Sequence, residues 1–336
     1  MLSQEEIDVI DTDKMYLAYE KWPELAKQYF DNNEDELNLS GIDHFVFAGM
    51  GGSGTLGDVF SSIMSKTDIH VSVVKGYHLP ETTDENTLVI CTSVSGNSVE
   101  TISILEEVRE KNLKSISFSS GGKIREYCEQ NNLQYRFVEK NHSPRASFPI
   151  FMYKMLKVLK PMLPIKDEDI IESIEKLEET WKQITINNLS KENPALSLAQ
   201  WIKSIPIIYF PYGLNASAIR FRNCLQENAK THAIIEDIIE TSHNGIVAWE
   251  GISDLQPILL RGLDDSIKTS DRYNIFKEYF DKRDIDYKEI FSVEGNIISK
   301  IINLIYLFDY SSVYLAYIGG IDPTPVDSID YVKERL

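Results

Sequence analysis

Unbroken apolar runs alternate along this chain with segments of helical spacing, and that alternation narrows the fold more than any other feature. The runs in the first half are HFVFAGM (44–50), IHVSVV (69–74), TLVICTSVS (87–95), SISFSS (115–120) and YRFVE (135–139). Those in the second half are IPIIYF (205–210), THAIIE (231–236), LQPILLR (255–261) and YKEIFSV (287–293). A strand that is apolar on both faces belongs in a sheet covered on both sides, which is the habit of parallel sheets. Between several runs lie helical patterns, such as Val99 to Lys111, with Ile102, Leu105 and Val108 three apart, and Lys123 to Asn131. Right-handed crossovers through such helices build a three-layer α/β/α domain.

With 336 residues the chain has room for two such domains. The texture turns helical from about Pro149 to Leu196, where Phe151, Met155, Leu156 and Leu159 form a stripe and a charged stretch follows. The expected division is therefore a first domain over 1–155, a helical linker over 156–196 and a second domain over 197–336. Each half opens on a strand, a glycine-bearing turn and a helix, FVFAGMGGSG and IIYFPYGLNAS, which suggests an internal duplication.

Charge and cysteine usage remove several function classes. The formal net charge is −18 with no basic cluster, so nucleic acid is not an expected partner. The three cysteines, Cys91, Cys128 and Cys224, are odd in number and far apart, which fits neither a disulfide framework nor a zinc cluster. The N-terminus is acidic and lacks the apolar core of a secretory signal. The apolar stretch Ile297 to Ile318 is interrupted by Lys300, Asn303 and Asp309 and reads as a buried helix rather than a membrane span. These features predict a soluble, cytoplasmic protein with no membrane partner.

Two loops carry the first site signal. Gly49-Met50-Gly51-Gly52-Ser53-Gly54 joins a strand to a helix, and its backbone N–H groups, with the positive end of the helix, can approach an anion. A tight turn without a ligand fits the same residues. The second loop, Ser93-Val94-Ser95-Gly96-Asn97-Ser98, packs three hydroxyls and a glycine before another helix. It forms a neutral cradle suited to a phosphate monoester at the carboxyl ends of the strands. The competing reading is that Ser98 is an ordinary N-cap.

GMGGSG followed by SVSGNSVET resembles the sugar isomerase (SIS) domain. The resemblance implies two SIS-type α/β/α domains and phosphate binding by Gly52, Ser53, Ser93, Ser95 and Ser98. Ser98 stands where the family usually has Thr, which keeps the hydroxyl.

Further segments are each unremarkable alone: LQENAK (225–230), ETSHNG (240–245), SPRAS (143–147) and DPTPV (322–326) with Lys333 beyond it. Glu227 could be a solvated helix carboxylate, His243-Asn244-Gly245 a polar turn, Arg145 a surface ion-pair partner and Lys333 part of a frayed end. Together they resemble the archaeal-type bifunctional phosphoglucose/phosphomannose isomerases over nearly the whole chain. The family implies interconversion of glucose 6-phosphate or mannose 6-phosphate with fructose 6-phosphate through a cis-enediol(ate). It assigns Glu227 to proton transfer between C1 and C2, Arg145 to the developing negative charge, His243 to ring opening and Lys333 to the ring oxygen. It also implies a homodimer whose neighbouring subunit supplies His243. Imidazole titrates near neutrality and a guanidinium stays charged, so both residue types suit these tasks. The six histidines show neither HxH nor HExxH spacing, so no metal and no cofactor is expected. Two other readings remain: a glucose 6-phosphate isomerase without mannose activity, and a non-catalytic sugar-phosphate-binding module. An amidotransferase-type isomerase half would need an ammonia source, and no glutaminase segment accompanies these residues.

Overall fold

A computed structural model describes residues 2–335. All nine expected strands are present. They are β1 (His44–Ala48), β2 (His70–Val74), β3 (Thr87–Ser93), β4 (Lys114–Ser119) and β5 (Gln134–Phe137) in one sheet, and β6 (Ile205–Phe210), β7 (Ile234–Asp237), β8 (Leu255–Arg261) and β9 (Lys288–Phe291) in another. The sheet orders are β2-β1-β3-β4-β5 and β7-β6-β8-β9, and every pairing is parallel. The second order repeats the first without its fifth strand, which fits the duplication suggested by the two strand–turn–helix openings.

The chain divides into two compact units. One comprises Leu17–Ile170 and the residues from Val326 on; the other comprises Ile171–Pro325 and the residues up to Tyr16. The boundary falls within the helix Asp167–Ile184, and each unit takes in one end of the chain.

In the first unit, every residue of the central strands β1 and β3 is buried, whereas the edge strands β2 and β5 are partly exposed. Val46, Ala48, Val89 and Cys91 face one layer of helices through Ile104, Leu105, Val108, Ile124 and Cys128. On the other side Phe47 stacks on Phe60, with ring centroids 5.0 Å apart. Gly57 lets that helix approach closely, since a Cβ there would come 2.8 Å from Cβ of Phe47. The expected stripe on helix Val99–Glu110 is rotated: Ile104 is buried with Leu105 and Val108, while Ile102 is only partly buried. A spacing of three drifts off a helix face that repeats every 3.6 residues.

In the second unit, Ile207, Tyr209, Leu259, Tyr273, Phe276 and Phe280 form one core with Trp249. The helix Ile297–Ile318 occupies the span read from sequence. It passes the length and composition test for a membrane span, yet 83% of its most apolar stretch is buried inside the protein. It packs against Asn215–Glu227 and Pro194–Trp201, so its apolar surface is consumed by a protein core.

Candidate active site

The serine loop leaves β3 at its carboxyl end. Ser93 is buried, and its hydroxyl lies 2.9 Å from that of Ser98 and 3.5 Å from that of Ser95. The Gly96 N–H donates to Ser93 Oγ at 3.2 Å, and the Asn97 N–H donates to Ser95 Oγ at 3.2 Å. Ser98 holds the N-cap position of helix Val99–Glu110 but makes no side-chain cap bond. The ordinary-cap reading therefore does not account for this hydroxyl, and the first-turn N–H groups keep no side-chain acceptor from it.

A second loop braces the first. Gly96 has φ +68°, and a Cβ on it would lie 1.8 Å from the Gly121 carbonyl oxygen. The Lys123 N–H donates to Asn97 Oδ1 at 3.1 Å, and the Ile124 N–H donates to Gly96 O at 2.9 Å. Gly121 and Gly122 thus belong to the site, although sequence reading passed over them. Their signal was present: a glycine pair directly after a strand run, in SISFSSGGK.

The glycine-rich loop after β1 feeds helix Gly51–Met64, which also lacks a side-chain cap. Gly52 is half-buried, and Ser53 is buried in the first turn. Gly49 cannot carry a side chain, because its Cβ would sit 2.8 Å from Thr92 O. Lys75, just past β2, pairs with Asp58 at 2.6 Å and brings its stem against Gly54. It is a cation beside the glycine loop that sequence reading missed.

Met50, Ser95, Asn97, Ser98, Val99 and Glu100 line a cavity of about 660 Å³ whose opposite wall is Ser328, Ile329, Val332 and Lys333. The wall residues lie on the terminal helix Asp327–Lys333. Lys333 therefore shares a cavity with Ser95 and Ser98 in the first unit. Beside the carboxylate of Glu100, the lining offers neutral hydroxyls, two helix N-termini and one lysine, which suit a phosphate monoester. Arg145, also in this unit, is 3% exposed in the turn before helix Phe148–Leu159. The Ser147 hydroxyl braces that turn, its single proton shared between Asn141 O at 3.0 Å and Ser143 O at 2.9 Å.

The second unit presents Glu227 and His243. Glu227 is the last residue of helix Asn215–Glu227 and is half-buried. The helix is locked by a buried pair in which Arg220 Nη2 donates to Asp309 Oδ2 at 2.5 Å and Nε donates to Oδ1 at 3.0 Å. The Cys224 thiol donates to the same carboxylate, and Asn228 Nδ2 donates to Ser312 Oγ at 2.8 Å. Breaking such a buried pair costs about 3–5 kcal/mol, which keeps the end of this helix in place. His243 is exposed in a turn after the short helix Ile238–Thr241, with its N–H donating to Glu240 O at 2.9 Å.

The second sheet offers no matching hydroxyl cradle. Arg261 ends β8 as Ser93 ends β3, and each strand begins opposite the first residue of its central neighbour. Arg261 is satisfied by Asp265, Glu289 and Ser270, while Asp265 Oδ1 accepts the Gly262 N–H at 3.0 Å. A carboxylate of the chain thus occupies the place that an anion would take.

Residues 38–134 match the SIS domain, and residues 191–336 match the bacterial phospho-glucose isomerase C-terminal SIS domain. In fold, the chain is similar to the C-terminal domain of glucosamine-fructose-6-phosphate aminotransferase from Francisella tularensis. That likeness has a TM-score of 0.68 at 15% identity, covering 92% of this chain and 97% of that one. Two SIS domains, one bearing the hydroxyl cradle, make this a SIS-domain protein. A bifunctional phosphoglucose/phosphomannose isomerase from Caldicellulosiruptor bescii is 31% identical over 88% of this chain and 90% of its own length. One of the same name from Aquifex aeolicus is 29% identical over 94% of each. The chain belongs to the bifunctional phosphoglucose/phosphomannose isomerase family.

Proposed function

We propose that this protein interconverts glucose 6-phosphate and mannose 6-phosphate with fructose 6-phosphate. The observation that carries the proposal is the pairing of Ser98 with Ser93 instead of with its own helix, in a cavity that Lys333 also lines. Family membership supports the substrate class.

In this reading Ser95, Ser98 and the first-turn N–H groups hold the phosphate, with Gly52, Ser53 and Ser93 as their support. Glu227 takes the proton from C2 of the open-chain aldose and returns it to C1, passing through the enediolate. Arg145 stabilises the negative oxygen that develops. His243 moves a proton at the ring oxygen during opening, and Lys333 lies beside that oxygen. Glucose and mannose 6-phosphates differ only at C2 and give one enediol, so a pocket that presents either epimer serves both. No step calls on a metal or a cofactor.

A homodimer with shared sites belongs to the same proposal. Ile239, Val247 and Ile252 are 37%, 57% and 104% exposed near His243 in sequence, which favours a covering copy that receives this imidazole. The free, buried thiols favour a reducing cytoplasmic setting.

Coupled assays on each hexose phosphate test the proposal. Turnover of both aldoses is expected, with Glu227→Gln losing several orders of magnitude while still binding phosphate monoesters. Turnover of the glucose compound alone would cut the proposal to the narrower isomerase. Binding without any incorporation of solvent deuterium into the sugar would make the chain a non-catalytic module.

A further inference from the structure

Lys230 follows the end of helix Asn215–Glu227 at φ +54°, in the left-handed region where glycine is the usual occupant. The Ala229 and Thr231 N–H groups both donate to Leu225 O, which closes the helix there. A lysine at such a position carries a backbone cost that a glycine would avoid, so its side chain has to supply something in return. The side chain makes three hydrogen bonds to carbonyls. The ammonium donates to Glu227 O at 2.6 Å, to Pro325 O at 2.8 Å and to Pro323 O at 3.3 Å. One acceptor is the backbone of the residue assigned to proton transfer. The other two lie in the Asp322–Pro325 segment, which has no regular secondary structure and whose prolines offer no N–H of their own. In that segment Asp322 also accepts from the Thr12 hydroxyl at 3.0 Å. Just before it lies Gly320 at φ +66°, where the Gly320 N–H donates to Tyr317 O and the Ile321 N–H to Ala316 O as the preceding helix ends. From Val326 the chain runs into the helix whose Lys333 lines the phosphate cavity.

We infer that Lys230 is a positioning residue for the isomerase reaction: its ammonium fixes the turn that ends in Glu227 against the Pro323 and Pro325 carbonyls. The inference rests on the isomerase reading above.

The test uses the full chain with Lys230→Gly, Lys230→Met and Lys230→Arg. Lys230→Gly relieves the backbone and removes the clamp, so its melting temperature should hold or rise while kcat falls by about tenfold or more, the scale expected for a misplaced reacting group. A role confined to stability would lower the two together. Lys230→Met should lose turnover similarly, and Lys230→Arg should recover part of it. Hydrogen exchange over residues 320–325 should accelerate in Lys230→Gly whether or not substrate is present. Turnover within about twofold of the parent in Lys230→Gly, or unchanged exchange in the tail, would overturn the inference. If the parent itself showed no turnover, the isomerase reading would fall, and the exchange measurement would still decide the tether.

Discussion

The hydroxyls of Ser93 and Ser98 lie 2.9 Å apart, and Ser98 caps nothing. Removing a working N-cap costs about 1 kcal/mol. Ser98→Ala removes no cap, only the bond to Ser93, about 0.5–1.5 kcal/mol, so the urea midpoint should fall only slightly. A lost hydrogen bond to a charged phosphate, about 1.5–3 kcal/mol, should instead weaken sugar-phosphate binding roughly tenfold or more. Ser98→Thr keeps the hydroxyl and should retain binding. Paired unfolding and KM measurements check this, and a large stability loss with intact KM would return Ser98 to the role of a cap.

Gly96 is held against Gly121 with no room for a methyl group. Gly96→Ala adds a left-handed backbone conformation, about 1–3 kcal/mol, to a contact that no rotamer can relieve. The two loops should separate, with a lowered melting temperature and weaker binding of sugar phosphate. Gly121→Ala is the informative partner, because a Cβ there meets nothing within 4 Å and only the backbone term at φ +121° remains. It should be the milder variant in a thermal melt.

Cys91, Cys128 and Cys224 are free and buried. Burial pushes each thiol above its ordinary range, and for Cys128 the hydrogen bond to Ser117 opposes that rise. The native protein should therefore react negligibly with Ellman's reagent near neutral pH, and all three thiols should titrate once it is unfolded. A fast native reaction at any of them would contradict this packing.

His44 and His70 sit with ring centroids 4.6 Å apart at the start of β1 and β2. Burial first, and then the neighbouring imidazole, hold the His44 pKa below its ordinary 6.5. Below 6.5 the unfolded chain binds more protons at this site than the folded one, so stability falls as the pH drops. His44→Gln should flatten that acid limb in urea midpoints collected from about pH 7 to pH 5. An equally steep limb in the variant would place the titration elsewhere.

Strand positions were legible because a parallel sheet buried on both faces demands continuous apolar runs, and all nine runs became strands. The ends of Ile297–Ile318 were legible too, since its interruptions are polar residues a protein core can absorb. The serine cradle could be read because its hydroxyls are neighbours in sequence. The phase of helix Val99–Glu110 was not, because apolar residues at a spacing of three fit two adjacent faces and only the packed sheet selects one.

What the sequence by itself determined is local: which segments alternate as strand and helix, and which loop carries hydroxyls at a helix start. Tertiary structure alone decided that Gly121 braces Gly96, that Lys333 lines the cavity of Ser98, and that Lys230 bonds the Pro323 and Pro325 carbonyls. The reason is physical. Periodicity records burial, a property each segment carries in its own composition. The meeting of distant residues follows from the packing of whole cores, for which no single segment holds a signal.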